Sequence, residues 1–164
     1  MARASDRLFL GIDHTAIVVE DTEASLAFWR DRLGFEVAGE SLNHGPEQER
    51  LNNVEGARLR ITALRAPEGP GVELLEYLAP GDGRPSPIDS SASDLWHWQI
   101  NLKVGDIGGL AGAFPRHRLI SRAETELPDD QLGFTSGLIG RDPDGHAVLL
   151  TERLATLRQE AATW

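Results

Sequence analysis

The sequence predicts an α+β protein built from two βαβββ modules, whose curved mixed sheets surround a cleft. Three observations lead there. The element order β-α-β-β-β reads twice along the chain, matching segments recur at a near-constant spacing, and a stretch rich in Pro, Gly, Ser and Asp lies between the halves. The 164 residues suit a single domain, with module one over about 8–78, a connector at 79–94, module two over about 95–152 and a tail at 153–164.

Residues 8–19, ending Thr15-Ala16-Ile17-Val18-Val19, read as a strand because β-branched side chains pack well on a pleated surface. Asp21 and Thr22 are cap residues for a helix that places Leu26, Trp29, Arg30 and Leu33 at helical spacing. Gly34 sits where a left-handed residue stops a helix, and Phe35-Glu36-Val37-Ala38 resumes as strand. The polar stretch Ser41 to Asn53 reads as a loop. Strands at about 57–65 and 71–78 follow, joined by the turn Pro67-Glu68-Gly69-Pro70-Gly71. Module two repeats the order: a strand at 95–104, a helix from about Asp106, a short strand near 119–122, a loop through Pro128-Asp129-Asp130, and strands at about 134–141 and 147–152 around the turn Asp142-Pro143-Asp144-Gly145. The last dozen residues read as helical or frayed.

Laid over one another, His14 meets Gln99, Val19 meets Val104 and Asp21 meets Asp106, an offset of 85 each time (99 − 14, 104 − 19, 106 − 21). Val72-Glu73-Leu74-Leu75 meets Val148-Leu149-Leu150-Thr151 at an offset of 76 (148 − 72), and shorter loops in the second half account for the change. The equivalent positions His14 with Gln99 and Glu73 with Leu149 are therefore expected to converge on the cleft.

A net charge of −10 argues against a nucleic-acid partner and against an anionic membrane surface, since both call for a basic face. The chain has no cysteine, which removes disulfides, thiolate nucleophiles and thiolate metal sites. The first residues turn polar too soon for a signal peptide or a membrane span, so a cytoplasmic protein is expected. No P-loop, dinucleotide fingerprint or zinc-helix motif is present.

Four segments carry a family resemblance: Ile12 to Val19, Ser25-Leu26-Ala27-Phe28-Trp29-Arg30-Asp31 with Leu33-Gly34-Phe35-Glu36-Val37, Val72 to Tyr77, and Arg141 to His146. Together they resemble the vicinal oxygen chelate superfamily of glyoxalases, bleomycin-resistance proteins and extradiol dioxygenases. That resemblance implies the fold above but a range of activities, from lyases, isomerases and dioxygenases to metal-free antibiotic binders. It also implies a divalent metal held by the first and last strands of each module, at positions that fall here on His14, Glu73, Gln99 and Leu149. His14 and Glu73 suit Zn, Fe, Mn, Co or Ni. Gln99 stands where a His is usual and ligates weakly; Leu149 stands where a Glu is usual and cannot ligate. A catalytic ion wants three protein ligands and an open position, so one divalent metal or none both stay open.

His97, two residues before Gln99, falls on the same strand face about 6–7 Å along and would complete the set through a bulge. Without a metal, His14 and Glu73 bond each other or water, or Glu73 or His14 serves as a general base. Gln99, Leu149 and His97 are then ligand-binding positions. Trp96 and Trp98 share the opposite face, and core packing is the plainer reading beside an aromatic wall. Glu76 and Glu152 point away from the site and read as solvent-facing or dimer-edge charges. His44, His117 and His146 read as surface loop residues, and Gly133 to Gly137 as a flap. The expected partner is a small organic molecule. By analogy with look-alike proteins, the chain is expected to form a homodimer.

Overall fold

The computed structural model describes residues 8–129 and 131–153. Eight strands form two four-stranded mixed sheets of identical plan, with few helices. The first sheet runs β1 (His14–Val19), β4 (Gly71–Ala79), β3 (Arg58–Arg65), β2 (Glu36–His44). The second runs β5 (Gln99–Val104), β8 (Ala147–Glu152), β7 (Ser136–Arg141), β6 (Thr125–Glu126). In each the first and last strands of the module lie side by side in parallel, and the remaining pairs are antiparallel.

The registers carry the repeat residue by residue. Ala16 pairs Glu73 in β1–β4, and Asn101 pairs Leu149 in β5–β8. The offsets are again 85 (101 − 16) and 76 (149 − 73). The chain gathers into two compact units. One holds the described residues up to Thr22 together with Gly34–Gly83; the other holds Glu23–Leu33 and everything from Arg84 onward.

In the first unit β1 buries Ile17 and Val19 and exposes Val18, as period-2 alternation requires. Val72, Leu74, Leu64 and Thr62 are buried with them. In the second unit Val148, Leu150 and Leu138 are buried, as are Ile107 and Phe114. Most of helix α1 (Thr22–Trp29) belongs to this unit: the Phe28 ring stands edge-on to Phe114 with centroids 5.4 Å apart. The helix ends at Trp29, earlier than the expected Leu33, and Gly34, left-handed at φ +80° as expected, closes the turn at 30–33 that follows it.

Several elements depart from expectation, each for a physical reason. The first strand starts at His14, because Gly71 bonds Asp13 at the end of β4 and residues 8–13 meet no further ladder. Ser41 to His44 are strand, because β3 supplies their partners from Ile61 to Arg58; the polar composition suits an edge strand. Pro46–Asn52 form helix α2, with Pro46 in the first turn and Asn53 left-handed at its end (φ 52°).

The second module's first strand starts at Gln99, since residues 95–98 turn through a His97 N–H to Asp94 bond. Trp96 and Trp98 are 65% and 59% exposed, so they are not core. Helix α3 (Ile107–Ala111) starts at Asp106, whose side chain accepts from Gly109 N at 2.9 Å. The strand expected near 119–122 is reduced to one bridge from Leu119 to Gly140, because the Ser121 hydroxyl takes the Ile139 N–H that a strand would use. The pairing moves on to β6. Residues 133–135 of the expected flap precede β7, which takes in Ser136 and Gly137. The reading of the tail at 154–164 lies outside the described residues.

Candidate functional site

In the first sheet the site positions lie on the face opposite the packed core; in the second, Gln99 and Asn101 of β5 are half-buried to exposed, whereas Ala147, Leu149 and Thr151 of β8 beside them are buried. In the first unit strand alternation puts Glu73, Leu75 and Tyr77 of β4 on the same side as His14, Ala16 and Val18 of β1. His14 Nε2 lies 3.6 Å from Glu73 Oε2, with the side chains 39% and 25% exposed. That is an ion-pair distance, too long for a direct hydrogen bond. The other imidazole nitrogen, Nδ1, is 2.7 Å from Asp13 Oδ2. The hydrogen bond from His14, and then its charge, hold the exposed Asp13 carboxyl below the usual carboxylate range. The imidazole thus lies between two carboxylates, Asp13 at Nδ1 and Glu73 facing Nε2. Asp13 was not anticipated as part of the site; its place next to His14 was the available signal.

In the second unit the equivalent face carries Gln99 and Asn101 of β5 beside Ala147, Leu149 and Thr151 of β8. His97 Nε2 is 3.3 Å from Gln99 Oε1, and Gln99 Nε2 donates to Asn101 Oδ1 at 3.1 Å. His97 thus reaches Gln99 from the turn before the strand rather than from one pleat along it. The Gln99 oxygen, the atom through which an amide ligates, is turned to His97. Leu149, 9% exposed, is buried next to this amide ladder. Among the described residues no cluster of three or more His, Asp or Glu side chains is placed to hold a metal ion.

Other residues have duties that sequence reasoning missed. Glu76 Oε2 accepts from Thr22 Oγ1 at 2.6 Å and from Thr22 N at 3.3 Å, and Glu152 Oε2 accepts from Ile107 N at 2.9 Å. Both carboxylates therefore hold helix starts and are not solvent-facing charges. The repeat itself was the signal, since 107 − 22 is 85 and 152 − 76 is 76. His44 lies in β2 rather than in a loop. His146 is half-buried on Asp142, with Nδ1 2.9 Å from Oδ2, and is no free surface histidine. Burial works against its protonated form. The hydrogen bond and charge of Asp142, with the charge of Asp144, outweigh that and raise the imidazole pKa above its ordinary value. His117 is exposed, in a 3-10 turn at Arg116–Arg118.

The chain matches the family model described as Glyoxalase/Bleomycin resistance protein/Dioxygenase superfamily over residues 11–150. A glyoxalase family protein from Bacillus cereus aligns with TM-score 0.76 at 19% identity, over 92% of this chain and 99% of that one. The trypanothione-dependent glyoxalase I of Leishmania major aligns with TM-score 0.56 at 19% identity, over 94% of each chain. TnmS3, an antibiotic binding protein from Streptomyces sp. CB03234, aligns with TM-score 0.52 at 14% identity, over 90% of this chain and 99% of that one. At such identities the solved structures speak for the fold alone. No protein of curated function matches the chain in sequence.

Proposed function

The chain belongs to the Glyoxalase/Bleomycin resistance protein/Dioxygenase superfamily, and from that premise we propose that it binds a small, largely apolar organic molecule on the open faces of its sheets, with no resident catalytic metal. The observation that carries this reading is Leu149. Sheet register sets it opposite Asn101 as Glu73 is set opposite Ala16, so an apolar side chain occupies the position equivalent to the carboxylate. An apolar floor flanked by the amides of Gln99 and Asn101 suits a ligand with an apolar body and a few polar groups.

The metal implied by the family does not fit the donors present. His14 and Glu73 are one good pair, but the equivalent pair is Gln99 and Leu149. The Gln99 oxygen is already engaged, and Leu149 has no donor atom. Two ligands fall short of the three that a catalytic ion wants.

A second reading, proton transfer, has its own support in the order Asp13, His14, Glu73. Asp13 orients the imidazole, and the Glu73 carboxylate faces Nε2 at 3.6 Å. A ligand O–H or N–H entering that gap would be held by one of them and give up its proton to it.

One experiment separates the readings. Untagged protein purified without chelator is subjected to elemental analysis beside His14→Ala, and the metal-free protein is screened by thermal shift against small aromatic compounds. Binding without metal is expected. Near-stoichiometric Zn, Fe, Mn, Co or Ni that disappears in the variant overturns the proposal. The homodimer belongs to the same proposal, and sedimentation of the full chain tests it.

A further inference from the structure

On the open face of the first sheet, a chain of amides ends at a phenol. Asn43 Nδ2 donates to Gln48 Oε1 at 3.2 Å, Gln48 Nε2 donates to Asn52 Oδ1 at 2.7 Å, and Asn52 Nδ2 donates to the Tyr77 hydroxyl oxygen at 2.6 Å. Every bond runs in the same direction, so the Tyr77 oxygen accepts and its own proton is left over. Among the described residues that proton is given to none. In a run of this kind each bond polarises the next, which makes the terminal O–H a stronger donor.

Two further observations point to a purpose beyond packing. Helix α2, which supplies Gln48 and Asn52, buries no residue, and its Leu51 is 80% exposed. A seven-residue helix without an apolar face is marginal alone, so these amide bonds hold it to the sheet. The second unit has no counterpart: the described residues of 127–135, between β6 and β7, form no helix. Among the described residues of this duplicated fold, then, only the first half carries the helix and the relay. Tyr77 also shares its face with Glu73 and Leu75, and Leu75 pairs with Ile61, so half-buried apolar side chains lie beside the donor.

We propose that Tyr77 is a specificity-determining residue, whose hydroxyl donates to a carbonyl-type acceptor on an otherwise apolar ligand, and that Asn52, fed by Gln48 and Asn43, fixes that polarity. The proposal rests on the reading of this face as a ligand surface.

The test uses the full chain and two probes of similar shape, 2-acetylnaphthalene, which has a carbonyl acceptor, and 2-isopropylnaphthalene, which lacks one. The wild type is expected to bind the ketone about tenfold more tightly, the worth of one net hydrogen bond, and to lower its carbonyl stretching frequency. Tyr77→Phe should bind both probes alike, with the hydrocarbon affinity unchanged and the frequency shift gone. Asn52→Asp should lose the preference although the phenol remains, because a carboxylate accepts the Tyr77 proton for itself. A ketone preference that survives in either variant overturns the role of Tyr77 and leaves the ligand surface standing. Failure of both probes to bind the wild type removes the ligand surface, and this proposal with it.

Discussion

Glu76 and Thr22 are joined by two hydrogen bonds to a single carboxylate oxygen, and in the other half of the repeat Glu152 with Ile107 reproduces the one to the backbone N–H. Each carboxylate satisfies a backbone N–H that the first turn of a helix leaves without an intrahelical partner, and it sits at the positive end of the helix dipole. Glu76→Ala and Glu152→Ala should each lower unfolding free energy by about 1–2 kcal/mol. Glu68→Ala, in the exposed turn before β4, should stay within about 0.5 kcal/mol. Urea unfolding of the three variants decides it; equal effects in all three would remove the clasp.

Asp142 is fully buried and accepts from Asp144 N at 3.0 Å, His146 N at 2.8 Å and Trp29 Nε1 at 3.4 Å. Removing the carboxylate orphans several donors at once. Asp142→Ala should cost about 3–5 kcal/mol, and Asp142→Asn less, because an amide oxygen still accepts. A thermal midpoint unchanged in Asp142→Ala would contradict the role given to this turn.

The raised pKa of His146 fixes the sign of a pH effect. The protonated imidazole is better held in the folded chain than in the unfolded one. Its contribution is therefore fully present below the unfolded value of about 6.5 and is lost as pH rises through the folded value. Unfolding midpoints measured across that interval should fall with rising pH in the wild type, and the step should vanish in His146→Gln. A wild-type midpoint that rises through the same interval would reverse the assignment.

Gly140 has no room for a side chain, since an added Cβ would lie within the Phe114 ring. Gly140→Ala should cost about 1–3 kcal/mol by overpacking. Combining it with Phe114→Leu should recover part of the loss, a coupling that only neighbours show. Additive losses in the double variant would mean the two do not meet.

Leu149→Glu restores the donor missing from the equivalent pair. Metal affinity, measured by titration with Zn, should rise over the wild type, and a Glu76→Ala control should leave it unchanged. An unaltered affinity in Leu149→Glu would mean that this position does not face the site.

Sequence pattern alone carried the repeat, because Val19, Val104, Asp21 and Asp106 fall at a common offset and the opening strands β1 and β5 are each six residues long. It carried Gly34 as well, since only a left-handed residue suits that place. It could not carry Ser41 to His44, whose strand character comes from β3, a partner contributed by distant chain. Helix α2 was legible in Pro46 and Asn53 but hidden by the polar run around it. Ser121 shows the reverse: a stretch with strand composition loses its ladder to one hydroxyl. At the candidate site His14, Glu73, Gln99 and Leu149 could be placed by the repeat, whereas the amide relay onto Tyr77 joins residues from three elements and leaves no linear signature.

The assignment of Glu23–Leu33 to the second compact unit has a consequence for dissection of the gene. The backbone passes from one unit to the other at 22–23, returns at 33–34 and leaves again at 83–84. A fragment beginning at Arg84 would lack Phe28 and Trp29, whose rings meet Phe114 and Asp142, and would present that core with its lid missing. The duplication visible in the sequence therefore cannot be undone with one cut. Bisection at the connector leaves the first piece with the whole of its unit and a surplus segment, and the second piece incomplete, so reconstitution of the second needs the 23–33 segment supplied in trans.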